Sequence, residues 1–343
     1  MAKIKEFHLF AGIGGGIYGG ELLGHKCCGG VEILPYARTV LEQRQKDGWM
    51  DKFPIYEDIC DLHGDAFKGK FDILCGGFPC QAFSSAAHGK NIAAKNLWGE
   101  MFRFVKESNA PIVFGENVVL RAIEKARADL EGVGYHVERI RLSNADIGAD
   151  HQRYRFWLLA VKDEGVFRKL TKQISKLNKL NGKCWERSLD APCERVEDLT
   201  PDRMNRLLGV GNAQSPLVAA SAFRILVNRH LNPREDRTEL VTQEEIEAVF
   251  EKSETWIQKT YGRDFGFVHT PTTVANYCCK SMQKHQGCRN YMKVFCEGKN
   301  GGSDNRKPLP IHAEYLMGFP IGASSPMPLT KKNIETWKGI MPC

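Results

Sequence analysis

A glycine cluster set between a strand and a helix constrains this chain more than any other feature. Ile4-Lys5-Glu6-Phe7-His8-Leu9-Phe10 reads as a strand, Gly12 to Gly16 as a tight turn, and Ile17 to Leu23 as the start of a helix. That order brings backbone N–H groups close to a bound nucleoside, because glycine has no Cβ to stand in the way. A glycine turn alone is also compatible with a loop that binds nothing, so the reading needs support from the rest of the chain.

Support comes from a series of short apolar runs that each end in a chemically distinctive tip. Val31-Glu32-Ile33 ends in an acid. Phe53-Pro54-Ile55-Tyr56 leads to Glu57-Asp58-Ile59, and Phe71-Asp72-Ile73-Leu74 leads to Cys75-Gly76-Gly77-Phe78-Pro79-Cys80. Pro111-Ile112-Val113-Phe114 leads to Glu116-Asn117-Val118. Strands alternating with helical stretches predict an α/β fold with a parallel sheet, which delivers all these tips to one edge. A carboxylate such as Glu32 at that edge can accept hydrogen bonds from both hydroxyls of a ribose; otherwise it is a solvated surface acid. Cys80 is either a nucleophile at the mouth of a cleft or one more small buried residue. Glu116 is either a catalytic acid or the cap of the next helix. Tyr135 to Leu142 and Arg155 to Val161 read as antiparallel strands at the edge of the sheet.

Taken in order, Phe10-Ala11-Gly12-Ile13-Gly14-Gly15-Gly16, Gly76-Gly77-Phe78-Pro79-Cys80, Glu116-Asn117-Val118, Gln152-Arg153-Tyr154-Arg155 and Gly211-Asn212-Ala213 resemble the motifs of the cytosine-C5 DNA methyltransferases. That family moves a methyl group from S-adenosylmethionine to cytosine in double-stranded DNA, leaving S-adenosylhomocysteine. The resemblance covers about the first two thirds of the chain. It implies a Rossmann-like doubly wound methyltransferase sheet. It also implies cofactor contacts at Phe10, Ala11, Gly12, Ile13, Gly14, Glu32, Ile33, Asp58, Ile59, Pro79, Leu97, Asn212 and Ala213. Asp58 would hold the adenine amino group and Ile59 pack on its ring, with Glu57 a competitor for the acidic role.

By the same resemblance Cys80 adds to C6 of a flipped-out cytosine, Glu116 contacts N3 and the exocyclic amino group, and Arg153 meets O2, with Arg155 beside it. Phe78, Gln81, Ser84, Ser85 and Asn117 would contact the substrate, in part through a small-residue loop that closes over the base. Arg153 and Arg155 also read as ordinary ion-pair partners. His151 stands where the family more often has Gln, which leaves its role open.

The length of 343 residues suits one large domain and a smaller one. The expectation is a catalytic domain over residues 1–233, with a basic helical insertion at about 162–199, and a smaller, loop-rich recognition lobe over residues 234–343. Phe167, Leu170, Ile174 and Leu177 at helical spacing predict an amphipathic helix in the insertion, its lysines either solvated or turned to DNA phosphates. In the tail, Leu316-Met317-Gly318-Phe319-Pro320 resembles a family signature that normally precedes the Gly-Asn-Ala motif, so the order is rearranged.

A net charge of +7 is compatible with a polyanionic partner without requiring one. The 12 scattered cysteines suit free thiols in a cytoplasmic protein of bacterial or viral type, and no membrane span or signal segment is expected. Cys278, Cys279, His285, Cys288 and Cys296 fit no familiar zinc spacing, so no metal is expected. The expectation is a monomer that a restriction endonuclease can accompany in the cell. Two rival readings stay open: a transfer-RNA cytosine-C5 methyltransferase, and an inert DNA-binding protein on the same fold.

Overall fold

The computed structural model describes residues 3–79, 97–189, 202–272, 281–295 and 309–340. Its centre is a seven-stranded sheet in the order β3 (Ile55–Tyr56), β2 (Lys26–Val31), β1 (Lys5–Leu9), β4 (Ile73–Gly77), β5 (Ile112–Asn117), β7 (Tyr154–Val161), β6 (His136–Ser143). The first five run parallel; β7 is antiparallel to both its neighbours, and β6 forms the edge. The chain lays β2 and β3 to one side of β1, then returns to lay β4 and β5 on the other. Where strand order reverses, the loops after β1 and β4 leave to opposite faces and open a crevice between them.

Side-chain alternation decides what covers each face. Ile73, Cys75, Ile112 and Phe114 enter the core built with α1 (Gly15–Leu22) and α7 (Pro216–Leu231). Phe7, Leu9, Leu74 and Val113 enter the core built with α3 (Leu97–Ser108) and α4 (Leu120–Glu131). Burial on both faces explains why the strands read as unbroken apolar runs. Helix α2 (Pro35–Lys46) follows β2, with Pro35 in its first turn, where a missing N–H costs nothing.

The predicted basic helix is shorter than its sequence stretch. α5 spans Glu164–Ile174, buries Phe167, Leu170 and Ile174, and is capped by Asp163, whose carboxylate accepts from the Gly165 and Val166 N–H groups. Leu177 lies beyond its end. Lys169 pairs with Asp72 just before β4, and Gln173 accepts from the Ile4 N–H just before β1. These contacts anchor α5 at the amino edge of the sheet, opposite the strand tips, which favours the solvated reading of its lysines. Beyond it, β8 (Leu180–Asn181) pairs with β9 (Phe250–Glu251), and Trp185 is buried.

Described residues on both sides of position 233 share one hydrophobic core. After α6 (Arg203–Asn212) and α7 come α8 (Gln243–Val249), α9 (Trp256–Tyr261), α10 (Gln286–Phe295), α11 (Pro310–Leu316) and α12 (Lys331–Ile340). Trp185 Nε1 donates to the Tyr315 carbonyl and Tyr315 Oη to the Trp185 carbonyl, at 2.9 and 2.7 Å. Tyr18 of α1 packs edge-on against Phe319 and Trp337. The boundary expected at 233 therefore divides the chain in sequence but not into two separate cores.

Candidate active site

Register brings the distinctive tips into one row. Tyr56 lies opposite Val31, Val31 opposite Leu9, Leu9 opposite Gly76, and Gly76 opposite Gly115. The next residues along, Glu57, Glu32, Phe10, Gly77 and Glu116, consequently stand side by side at the carboxyl edge. They rim a cavity of about 510 Å³ at the switch point between β1 and β4. Phe10 has φ 55°, a conformation that non-glycine residues rarely adopt, and Gly12 and Gly14 follow at 55° and 92°. The turn is thus bent sharply where it faces the cavity.

Of the residues expected to hold a cofactor, Phe10, Ala11, Gly12, Ile13, Glu32, Ile33, Asp58, Ile59, Pro79, Leu97, Asn212 and Ala213 all line this cavity. Gly14 does not: its Cα faces Met50 and Leu41 instead, and it acts as the bend before α1. Glu32 is buried, and its two oxygens accept from the Gly12 N–H at 2.7 Å and the Leu34 N–H at 2.8 Å. The same carboxylate therefore braces the glycine turn and faces the cavity, keeping lone pairs for a ligand. Asp58 Oδ1 accepts from the Cys60 N–H, whereas Glu57 pairs with Arg38 at the surface. Ile33 and Val118 are 60% and 51% exposed at the cavity, an apolar surface suited to a flat ring.

On the other side of the cavity stands Glu116, 8% exposed at the tip of β5. Burial pushes its carboxyl above the usual range, against the opposing pull of Arg155, Arg153 and a hydrogen bond from Gln214. Arg155 Nε lies 3.2 Å from Glu116 Oε1, but off the hydrogen-bond direction, so that buried oxygen has no donor among the described residues. Asn117 is committed internally: Nδ2 donates to the Phe78 carbonyl at 2.8 Å and Oδ1 accepts from the Val119 N–H. It fixes the end of the Gly-Gly-Phe-Pro segment and lines the cavity. Phe78 packs on Trp98 and also lines the cavity.

The two arginines separate. Arg155 lines the cavity. Arg153 is buried and donates through Nη2 to the carbonyls of Gly211 and Ala213, at 2.8 and 3.0 Å. The carbonyls at the end of α6 lack partners within the helix and carry its negative dipole end, which is where a cation is favoured. These two hydrogen bonds hold the Asn212 turn. Cys80, Gln81, Ser84 and Ser85 lie outside the described residues, as do Cys278, Cys279 and Cys296.

Two features at the site carried no sequence signal that singled them out. Gln214, next to the Gly-Asn-Ala motif, lines the cavity, and its Nε2 lies 3.5 Å from Glu116 Oε2. His8 lines the cavity too and is held by Glu6, which also takes His25: Nε2 to Oε2 at 2.9 Å and Nδ1 to Oε1 at 2.6 Å. Only the alternation of β1, which turns Glu6 and His8 to the same face, hints at this pairing. Cys75 lies close to both, with donor atoms within 4.8 Å of one another. The Glu–His contacts are hydrogen-bond lengths, shorter than the roughly 3.3 Å edge of a tetrahedral zinc site.

Sheet order and cavity define a Rossmann-like α/β protein with a cofactor-sized site at its topological switch point. The family model for C-5 cytosine-specific DNA methylase matches residues 4–321, and the chain belongs to that family. Among its relatives, the type II methyltransferase M.MspI of Moraxella sp is 28% identical over 180 residues, 48% of this chain and 40% of that protein. M.HhaI of Haemophilus parahaemolyticus is 28% identical over 220 residues, 61% of this chain and 63% of that protein. M.NlaIV of Neisseria lactamica is 32% identical over 183 residues, 46% of this chain and 41% of that protein. The alignments thus span between 40 and 63% of the length of these relatives.

Proposed function

We propose that this protein transfers a methyl group from S-adenosylmethionine to C5 of cytosine in double-stranded DNA. The observation that carries the reading is Glu116, a buried carboxylate facing the cavity with one oxygen in want of a donor. A cytosine amino group would supply that donor, and burial, which raises the proton affinity of the carboxyl, suits Glu116 to meet N3.

A nucleoside cofactor fits what is present. The cavity volume falls in the usual range for ligand sites, Glu32 can meet ribose hydroxyls, and Asp58 can meet an adenine amino group beside Ile33 and Ile59. When bound, S-adenosylmethionine supplies an electrophilic methyl group. The protein's own work is to make C5 of cytosine nucleophilic. Cys80, which follows Pro79 in the chain, adds as thiolate to C6; the S–C6 bond forms and the C5–C6 π electrons become available at C5. A free thiol has a pKa of about 8.5, so a neighbouring cation must favour the thiolate. Glu116 stabilises the charge that develops on the base, and Arg155 stands beside it. Once C5 is methylated its proton leaves to water, the S–C6 bond breaks, and the thiolate returns. The target atom is hidden in a duplex, so the base must be flipped into the cavity.

We further propose that part of the chain after residue 233 reads the DNA, that the protein is a monomer, and that it works in the cytoplasm, where a restriction endonuclease can accompany it. No helix among the described residues is long and apolar enough to cross a membrane. The test is transfer of labelled methyl groups to unmethylated DNA and, in parallel, to transfer RNA, with Cys80→Ala as control. Label on DNA cytosine that vanishes in the variant supports the reading. Label on RNA alone replaces it with the RNA enzyme, and binding to DNA without any transfer replaces it with an inert scaffold.

A further inference from the structure

Two glycines from separate segments, Gly16 and Gly77, leave room for the side chain of Gln214, and Gly15 leaves room for its backbone. A Cβ on Gly15 would stand 2.1 Å from the Gln214 backbone oxygen, and one on Gly16 would stand 2.6 Å from its Oε1. A Cβ on Gly77 would stand 3.0 Å from Gln214 Nε2 and 2.8 Å from Glu116 Oε2. The amide therefore lies between the first turn of α1 and the tip of β4, its oxygen toward Gly16 and its nitrogen toward Gly77 and Glu116. His8 Nδ1, on the imidazole that Glu6 holds, would be 3.4 Å from the same Gly16 Cβ, so it closes the floor beside the amide.

We infer that Gln214 is a positioning residue that holds the Glu116 carboxylate and tunes its proton affinity from the seat of the β1–α1 turn. The inference rests on the proposed role of Glu116 only for its effect on rate. Among the described residues, the groups facing Glu116 are Arg155 and Arg153 from the β7 side and Gln214 from the turn between α6 and α7, while the adjoining β4 residue is Gly77, which has no side chain. Gln214 is the neutral member of this set and donates to Oε2, whereas Arg155 approaches Oε1. A donor to the carboxylate favours its ionised form. Removing it leaves a buried charge with one partner fewer, so the carboxyl should hold its proton to higher pH. The same amide also lies against Gly16 in the first turn of α1, so it joins that turn to Glu116.

The experiment titrates Glu116 directly, by carbon-13 NMR of the full chain labelled at glutamate Cδ, with Glu116→Gln to assign the resonance. Gln214→Leu keeps size and removes the donor. The Glu116 titration is expected to move up by about one pH unit, the size of one hydrogen bond to a charged group. The pH inflection in kcat for DNA methylation should move by the same amount. Should Gln214→Leu not fold, Gln214→Asn, which draws the amide one carbon away from Glu116, gives the same reading. An unmoved titration in a folded variant overturns the inference, even if kcat falls at every pH. A moved titration in a protein that transfers no methyl group would sustain the inference and remove the proposed function instead.

Discussion

Glu6 shows how a single buried acid sets pH behaviour. It is buried against Gly20 of α1, and burial alone would raise its pKa; His25 and His8 outweigh that and bring it from 4.5 down to about 2. A folded-state value below the unfolded one means stabilisation that is fully present above about pH 4.5 and lost as pH falls toward 2. The amount is on the order of 3 kcal/mol. Glu6→Gln should therefore lower stability to urea at pH 7 and flatten its dependence between pH 5 and about 2, as followed by circular dichroism. His151 works in the same direction over a higher pH window. Burial, then Arg153 and Arg155, lower it to about 3, so the unfolded chain takes the proton first and stability drains away as pH falls from 6.5 toward 3. The arginine pair makes a separable prediction. Arg155→Ala should cut kcat at least tenfold and raise the pH inflection of Glu116, because its cation faces that carboxylate. Arg153→Ala should instead loosen the turn at Asn212, costing about 1–3 kcal/mol of stability and weakening cofactor binding more than kcat.

At the scale of elements, the docking of α11 on α6 depends on one buried ion pair. Glu314 has no exposed surface; it accepts from Arg206 Nη2 at 3.1 Å, the Ser324 N–H at 2.9 Å and the Gly322 N–H at 2.7 Å. Arg206 also donates to Ser324 Oγ, so one carboxylate gathers a helix and the turn that follows its own helix. Next to it Ser215 Oγ, at the start of α7, donates to the Met317 carbonyl and accepts from Asn144 Nδ2. The signature Leu316-Met317-Gly318-Phe319-Pro320 is thus a clasp on the segment that carries Asn212, Ala213 and Gln214. Glu314→Ala leaves Arg206 buried and unpaired and should cost about 3–5 kcal/mol, measured as a lower midpoint of denaturant unfolding. The change should also weaken cofactor binding, because the Gln214 turn loses its support. Little of this was legible beforehand. The helix period of α5 could be read from spacing, but a clasp between residues more than 100 positions apart leaves no local pattern.

For the whole molecule, the shared core has a consequence for truncation. Tyr18, Trp49 and Trp185 belong to the first 233 residues, yet each is sealed by a later segment: Trp337 and Phe319 against Tyr18, the Thr330 carbonyl on Trp49 Nε1, and Tyr315 on Trp185. A protein ending at residue 233 should lose its cooperative thermal transition and bind hydrophobic dye while keeping much of its far-ultraviolet signal. A truncated form with a sharp melt and intact cofactor affinity would show that the later segments are dispensable to the core.

Alternating strands and helices, the glycine turn and the acids at successive strand ends are local patterns, and they sufficed to read an α/β sheet with its chemistry at one edge. Backbone geometry makes such patterns informative: a parallel sheet must deliver its strand ends together, whatever covers its faces. Which arginine lines the cavity, where Asn117 spends its amide, and why Gln214 stands beside Glu116 and His8 beside Gly16 were decided only by the tertiary structure. Each depends on a partner distant in sequence: Arg153 on the end of α6, Gln214 on glycines in α1 and β4, and Glu314 on Arg206. Hydrogen bonds within a core are chosen by what packing places within about 3 Å, and that distance has no counterpart along the chain.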